Sequence, residues 1–276
     1  MVVYITELEN AGKSVFIIAL ITVVLITLKL TRAVGEETDI LENDFLSINL
    51  SECRDGGDGY VLIKTGPNGA KLKLFISLSE DTVIENQNQN GEWERHNLYF
   101  GKGLYTFVLY ENIYDNKYKK MSDVQAYVAS DCRKSWLEPN DHIVFSDTAK
   151  ITSIANSICI DAKSQKIIFR QICSFIEKNF AFDYIGFYQT AQIDYEILPD
   201  IDNLLDKRMG LCKDLSSATV AMLRSQGVPA VMAYGFGDKI PHAWVIAKIN
   251  GQYVSYDPTV ALTGGKIFNY HLVRFY

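Results

Sequence analysis

Three side chains in the carboxyl-terminal half of the chain have the chemistry needed to attack an amide bond. Cys212 follows Gly210 and opens an amphipathic stretch, which predicts a cysteine in the first turn of a helix. A thiol there faces the positive end of the helix dipole and unpaired backbone N–H groups. Both favour the thiolate, and the N–H groups can also receive an oxyanion. The pattern therefore predicts a nucleophile at Cys212.

A nucleophile of this kind needs a base and a group that orients the base. His242 lies at the mouth of a predicted strand, 243–248, and Asn250-Gly251 predicts a tight hairpin turn. Opposite residues in that hairpin have numbers that sum to about 501, so the partner of His242 falls near 259, close to Asp257. A carboxylate there can accept the imidazole N–H, fix its tautomer and stabilise the imidazolium.

Each of these residues also has a plainer interpretation. Cys212 taken alone fits a small buried residue, and Asp257 fits a turn residue before Pro258. Cys212, His242 and Asp257 could instead bind zinc, although no fourth ligand at tight spacing accompanies them. A redox role for Cys212 is a further alternative, but no resolving cysteine is near it in sequence.

The elements that must position these residues show first helical and then strand spacing. Apolar residues recur on one face over 164–178, and a second helix begins at Cys212 and ends before Gly227. Cys159 and Cys173 lie among apolar neighbours, so we interpret both as small buried hydrophobic residues. Cys212 is the remaining nucleophile candidate in this half of the chain.

Three motifs follow one another in this half of the chain. They are Gly210-Leu211-Cys212 with Asp214-Leu215, His242-Ala243-Trp244, and Tyr256-Asp257-Pro258-Thr259. Their order resembles the core of the transglutaminase-like superfamily, a papain-like α+β fold, over about residues 140–276. The resemblance implies that Cys212 is the nucleophile, His242 the general base and acid, and Asp257 the orienting residue. The predicted loop 235–242 is shorter than in many relatives, and the oxyanion donors suggested are Tyr195, Asn203 and Trp244.

The predicted activity is thiol-dependent acyl transfer or hydrolysis at amide bonds of a protein or peptide substrate, through a thioester on Cys212. Attack by water would make the protein a cysteine peptidase, whereas attack by a lysine amine would make it a transglutaminase. The alternative is a papain-like binding or scaffold module at the cell envelope with weak or absent turnover. No organic cofactor and no metal are predicted.

The amino-terminal segment predicts membrane targeting. Residues 14–28 are uncharged and apolar, and with Ala11, Gly12 and the flanking Lys13 and Lys29 they suffice for one hydrophobic helix across the bilayer. Residues 1–33 are therefore predicted to be an anchor, or alternatively a cleaved signal that leaves the protein secreted. The charges on either side favour a cytoplasmic catalytic half. The family resemblance overrules them and implies a single-pass membrane protein with its catalytic domain outside the cytoplasm, where cell-wall peptide is a plausible substrate.

The middle of the chain predicts short strands. After an acidic tether at 34–44, alternating residues such as Leu72, Leu74 and Ile76 indicate an antiparallel β-sandwich domain over 45–131, followed by the catalytic domain at 132–276. The glycine-rich loop 55–59 lacks the ligand pattern of a calcium site, so a plain turn is favoured. Whether the bracketing Cys53 and Cys132 form a disulfide stays open.

Composition excludes several classes of protein. Lys and Arg number 27 against 33 Asp and Glu, a net charge of −6 without a long basic run, so we expect no nucleic-acid partner. Five cysteines are too few for a disulfide-built fold, and 6 Pro with 18 Gly do not indicate low complexity. His96, His142 and His271 lack a catalytic setting and are interpreted as surface or packing residues.

Overall fold

The computed structural model describes residues 2–4, 39–66, 69–88, 90–190, 198–267 and 269–276. The predicted membrane segment 14–28 and Tyr195 lie outside the described residues. Within those ranges, no helix has both the length and the apolar character that a bilayer crossing requires. The described chain is a mixed α/β protein with several antiparallel sheets.

Antiparallel strands dominate the described chain up to residue 128. They are β1 (Val2–Tyr4), β2 (Ile40–Glu42), β3 (Leu46–Asn49), β4 (Tyr60–Thr65), β5 (Leu72–Leu78), β6 (Asp81–Gln87), β7 (Glu94–Asn97), β8 (Gly103–Tyr114) and β9 (Lys117–Val128). One sheet has the order β1-β9-β8-β5-β6 and the other β2-β3-β4-β7. Strand β2 falls in the stretch expected to be a tether, so strand pairing begins before residue 45.

These two sheets share one apolar core. Alternate residues of each strand turn inward, so that Ile48 and Ile63 of one sheet and Leu74 and Phe107 of the other belong to the same buried cluster. The predicted alternation over 72–78 is realised in β5. Antiparallel sheets are thus confirmed, whereas the β-sandwich arrangement and the domain boundaries stay predictions.

Helices and a further sheet follow. They are α1 (Lys150–Cys159), α2 (Gln165–Asn179), β10 (Ala181–Phe182), α3 (Tyr184–Thr190), α4 (Ile201–Lys207), β11 (Met209–Gly210), α5 (Cys212–Ser225), β12 (Ala230–Gly237), β13 (Ile240–Ile249), β14 (Gln252–Tyr256), α6 (Pro258–Thr263) and β15 (Tyr270–Phe275). Helix α5 is central, because residues 215–224 are all buried. Its apolar surface packs with α1, α2 and α4 into a second core.

The last sheet has the strand order β14-β13-β12-β15. The predicted hairpin is present: Val245 pairs with Tyr256, and Asn250 and Gly251 have φ of 52° and 83°, the left-handed values of a two-residue hairpin turn. The predicted loop 235–242 is wrong in form. Residues 230–237 and 240–249 are paired strands with a turn at 238–239, because the chain tolerates positive φ there.

Both faces of this sheet are covered. On β12, Ala230 and Met232 belong to the core shared with the helices, whereas Val231 and Ala233 belong to the core shared with the two amino-terminal sheets. This alternation follows from the two-residue period of a strand. Strand β15 also lies against β6. The sheet that carries His242 is therefore supported from both sides.

Candidate active site

Cys212 is the first residue of α5, and its side chain is half-buried. The approach to the helix is tight: a Cβ on Gly210 would lie 2.7 Å from the Leu204 side chain and 3.1 Å from Cβ of Asp214. The Leu211 N–H donates to Oδ2 of Asp214 at 3.0 Å, so a helix residue caps the start of its own helix. These contacts fix the position from which the sulfur projects.

His242 and Asp257 form a short, buried contact. Nε2 of His242 lies 2.6 Å from Oδ2 of Asp257, and each side chain is only 8% exposed. His242 is held in β13 by its pairing with Gly235 of β12. The two residues are fifteen positions apart in sequence, and the hairpin between them brings them together.

Asp257 is fixed by more than the histidine. It is the N-cap of α6, where Oδ1 accepts the Val260 N–H at 3.0 Å, and Pro258 occupies the first helical position. Oδ2 accepts a second hydrogen bond, from the Tyr270 hydroxyl at 2.9 Å. Both carboxylate oxygens are thus engaged, and the group has one orientation toward the imidazole.

The thiol of Cys212 lies near the His242 ring. Cys212 lies close enough to His242 for its side chain to contribute to the raised pKa of the imidazole. Because Asp257 engages Nε2, Nδ1 is the ring nitrogen left for the sulfur. Oγ of Ser216 donates to the Ala243 carbonyl at 3.1 Å, which ties α5 to β13 one residue past His242. Cys212, His242 and Asp257 therefore belong to the same part of the fold.

The electrostatics of the site favour charge separation. Burial opposes protonation of His242, but the hydrogen bonds and charges of Asp257 and Cys212 outweigh it and raise the imidazole pKa to about 9. Burial acts to raise the Asp257 pKa, yet the bonds from His242, the Val260 N–H and Tyr270 hold it below its ordinary value. Both pKa shifts favour an imidazolium beside a carboxylate at neutral pH.

The other four cysteines are buried free thiols. Burial raises the pKa of Cys53 and Cys173 to about 12, and it also raises the pKa of Cys132 and Cys159. A buried thiol whose pKa is raised is a poor nucleophile near neutral pH. Cys159 and Cys173 behave as the sequence led us to expect, and Cys212 differs from all four in its exposure.

Two other histidines have packing roles. Nε2 of His96 lies 2.9 Å from Oε1 of Gln87, and the His142 ring stacks on Tyr276 at 3.5 Å between centroids. Burial lowers the pKa of both histidines to about 4. Across the described ranges, no three His, Cys, Asp or Glu side chains lie close enough to hold a metal ion.

The suggested oxyanion donors fare differently. Asn203 is exposed on α4, where its backbone N–H bonds to the Asp200 cap, and Trp244 is buried with its ring 4.8 Å from that of Tyr270. Tyr195 lies outside the described residues. Tyr270 itself was not among the sequence candidates, because no motif surrounds it and the pairing of β15 is not encoded locally.

The segment that carries this site matches a known family. Residues 152–258 match the transglutaminase-like superfamily, and the match includes Cys212, His242 and Asp257. The resemblance drawn from the three motifs is thereby confirmed for this part of the chain. No curated protein matches the sequence.

Several solved structures are similar over part of the chain. A crystal structure of a TGase has 17% identity and a TM-score of 0.36, covering 44% of this chain and 32% of that one. A cysteine protease candidate from Cytophaga hutchinsonii has 16% identity, a TM-score of 0.39 and coverage of 71% and 69%. The periplasmic domain of TgpA from Pseudomonas aeruginosa, bound to ethylmercury, has 14% identity, a TM-score of 0.36 and coverage of 74% and 73%. The chain thus spans about a third of the TGase structure.

Proposed function

We propose that this protein is a cysteine acyltransferase or peptidase that forms a thioester between Cys212 and an acyl group taken from an amide of a protein or peptide. The observation that carries the proposal is the shared imidazole. His242 bonds to Asp257 at 2.6 Å, and Cys212, at the start of α5, lies near enough to help raise the pKa of the same ring. This arrangement supplies a nucleophile, a proton carrier and an orienting carboxylate in one row.

In the first half-reaction, the thiolate of Cys212 attacks the amide carbonyl carbon and the C=O electron pair moves onto oxygen. Backbone N–H groups at the start of α5 stabilise that oxyanion. The imidazolium of His242 gives its proton to the amide nitrogen, the C–N bond breaks, and an amine or ammonia leaves. The raised pKa of His242, about 9, keeps this proton available at neutral pH.

In the second half-reaction, neutral His242 removes a proton from the acceptor as it attacks the thioester. Water gives a carboxylic acid and a peptidase or amidase outcome, whereas a lysine amine gives an isopeptide bond. In both cases the C–S bond breaks and the Cys212 thiolate returns beside the imidazolium. Asp257 stays ionised throughout and stabilises the positive ring.

We further propose that the two amino-terminal sheets form a β-sandwich domain, and that residues 14–28 anchor the chain with its catalytic domain outside the cytoplasm. A single crossing puts residues 2–4 and 39–276 on opposite sides of the bilayer. Pairing of β1 with β9 and anchoring are therefore alternatives for one molecule. Membrane fractionation distinguishes the anchor from a cleaved signal. Recovery of the full-length chain in carbonate-washed membranes would support the anchor. Recovery of a soluble chain that begins near residue 34 would support the cleaved signal instead.

The reaction is tested by incubating the full chain with a glutaminyl peptide and a biotinylated alkylamine. Mass spectrometry then distinguishes three products: a cleaved peptide, a deamidated peptide (+1 Da) and an amine-bearing peptide. Any of them is expected to disappear in Cys212→Ala. Cys159→Ala serves as the matched control, because that thiol is buried in the helical core.

Trapping the intermediate makes the test independent of the acceptor. Acid quenching should preserve an acyl adduct on the Cys212 peptide, and hydroxylamine should remove it. An intact, folded protein that forms neither product nor adduct with a panel of glutaminyl and cell-wall peptides would favour the binding or scaffold alternative.

A further inference from the structure

Tyr270 enters the site from a part of the chain that no motif includes. It is the first residue of β15, beyond the family match that ends at residue 258. Its hydroxyl donates to Oδ2 of Asp257 at 2.9 Å, the same oxygen that faces His242 at 2.6 Å. The triad carboxylate therefore has a side-chain partner other than the histidine.

The ring of Tyr270, 41% exposed, also lies beside the His242–Asp257 contact. Its centroid lies 4.8 Å from the Trp244 ring and 6.3 Å from the imidazole. Burial and the bond to Asp257 raise the pKa of the Tyr270 phenol, so its hydroxyl stays a donor across the neutral range. A neutral donor on Oδ2 helps to keep the carboxylate ionised without adding a competing charge.

Two carboxylate oxygens need two anchors if the group is not to rotate. The Val260 N–H holds Oδ1 as part of the α6 cap, at 3.0 Å. Tyr270 holds Oδ2 from the opposite element, β15. With both bonds made, Oδ2 can meet Nε2 of His242 in only one direction. Loss of the hydroxyl leaves one anchor, on the oxygen that does not face the ring.

The backbone around Tyr270 is built to place it. Asn269 directly precedes Tyr270 and makes two hydrogen bonds with Asp238. The Asn269 carbonyl accepts the Asp238 N–H at 3.0 Å, and the Asn269 N–H donates to Oδ1 of Asp238 at 3.0 Å. Strand β15 approaches β12 so closely that a Cβ on Gly235 would lie 1.9 Å from the His271 carbonyl oxygen. The register of the pair shifts beside Gly235, and such an irregularity re-aims side chains.

We propose that Tyr270 is a positioning residue that acts on His242 and Cys212 through the Asp257 carboxylate. The inference rests on the proposed function and deepens it. Tyr270 does not touch the reacting atoms. It fixes the direction of the Asp257 carboxylate and thereby the orientation of the His242 ring, which in the proposed mechanism takes the proton from the sulfur.

A double-mutant cycle tests this route. The rate of Cys212 alkylation by iodoacetamide at pH 7 is measured for the full-length wild type, Tyr270→Phe, Asp257→Ala and the double variant. We expect Tyr270→Phe to slow alkylation about fivefold in the wild-type background, because a hydrogen bond to a charged group is lost, and not to slow it further when Asp257 is absent. Tyr253→Phe, an exposed tyrosine on β14, is the matched control and should change neither background.

Turnover of the glutaminyl peptide supplies a second readout: Tyr270→Phe should lower kcat with KM unchanged. If Asp257→Ala does not fold, as judged by thermal unfolding, His242→Ala replaces it in the cycle. The role of Tyr270 is overturned if Tyr270→Phe slows alkylation as much in the Asp257→Ala or His242→Ala background as in the wild type. It is also overturned if Tyr270→Phe has no effect in the wild type. Fast alkylation of wild-type Cys212 without any acyl product contradicts the proposed function alone. The double-mutant cycle still measures the role of Tyr270 in that case, because alkylation rates do not depend on turnover.

Discussion

The bond between His242 and Asp257 should be visible in the pH dependence of stability. The perturbation is Asp257→Asn, which removes the negative charge but keeps a side-chain oxygen for the Val260 N–H at the start of α6. Asn is as good an N-cap as Asp, so the helix start is preserved. The substitution therefore separates the electrostatic role of Asp257 from its structural one.

The magnitude follows from the pKa of His242. A rise from 6.5 to about 9 in the folded protein corresponds to a preference for the imidazolium worth about 3 kcal/mol. Because the folded pKa is raised, this stabilisation is fully present below pH 6.5 and is lost as the pH rises through about 9. Cys212 supplies part of it, so we expect Asp257→Asn to abolish roughly 1 to 3 kcal/mol of the pH dependence in this window.

The assay is reversible urea unfolding of wild type and variant at intervals between pH 6 and pH 9.5. The quantity compared is the change in unfolding free energy across the window, not its value at one pH. His96 and His142, with pKa values lowered to about 4, titrate below it. The buried cysteines contribute equally to both proteins, so their effect cancels in the difference.

Asp206→Asn is the control, because this exposed carboxylate pairs with Lys150 on the surface and has no contact with a histidine. It should leave the pH dependence of the wild type unchanged. Parallel stability curves for wild type and Asp257→Asn would refute the reasoning, since they would mean that the carboxylate does not hold the proton on His242.

The remaining predictions concern the thiols and the backbone of the site. Iodoacetamide at pH 7 should modify Cys212 first in the folded protein, because the other four cysteines are buried, and peptide mapping would contradict this if another cysteine reacted sooner. Gly235→Ala should destabilise the protein by at least about 3 kcal/mol in urea unfolding, because its Cβ meets the His271 carbonyl. Gly66→Ala, where the added Cβ meets nothing within 4 Å, should be nearly neutral, and equal losses would contradict the argument. Ser216→Ala should cost about 1 to 3 kcal/mol by leaving a buried carbonyl of β13 without its donor, which the same assay measures.

Much of the site could be predicted because its determinants are local. Gly210 before an amphipathic run predicts that a helix starts at Cys212, and the structure has α5 beginning there. Asn250-Gly251 predicts a two-residue turn and hence the register of the hairpin, which the structure also has. The same local rules failed at 235–242. Asp238 and Lys239 both adopt positive φ, which is unusual for such residues, so the sequence does not announce a tight turn there. We therefore predicted a loop, whereas the structure has two paired strands joined by a two-residue turn.

Other features depend on elements distant in sequence. The pairing of β15 with β12 rests on the missing side chain at Gly235 and on contacts with β6, and only that pairing brings Tyr270 to Asp257. The packing of Val231 and Ala233 against the amino-terminal sheets is equally non-local. Periodicity identifies the inward faces of a strand, but it does not say which element covers them.

The sequence by itself determined the chemical types of the proposed nucleophile, base and orienting carboxylate, and the order of the helix and hairpin that carry them, because short-range backbone preferences govern the helix and the hairpin. Only the tertiary structure decided the 2.6 Å contact of His242 with Asp257, the second donor from Tyr270, and the raised pKa of the ring. Distance, burial and charge are properties of packed surroundings, and they exist only once remote segments have come together.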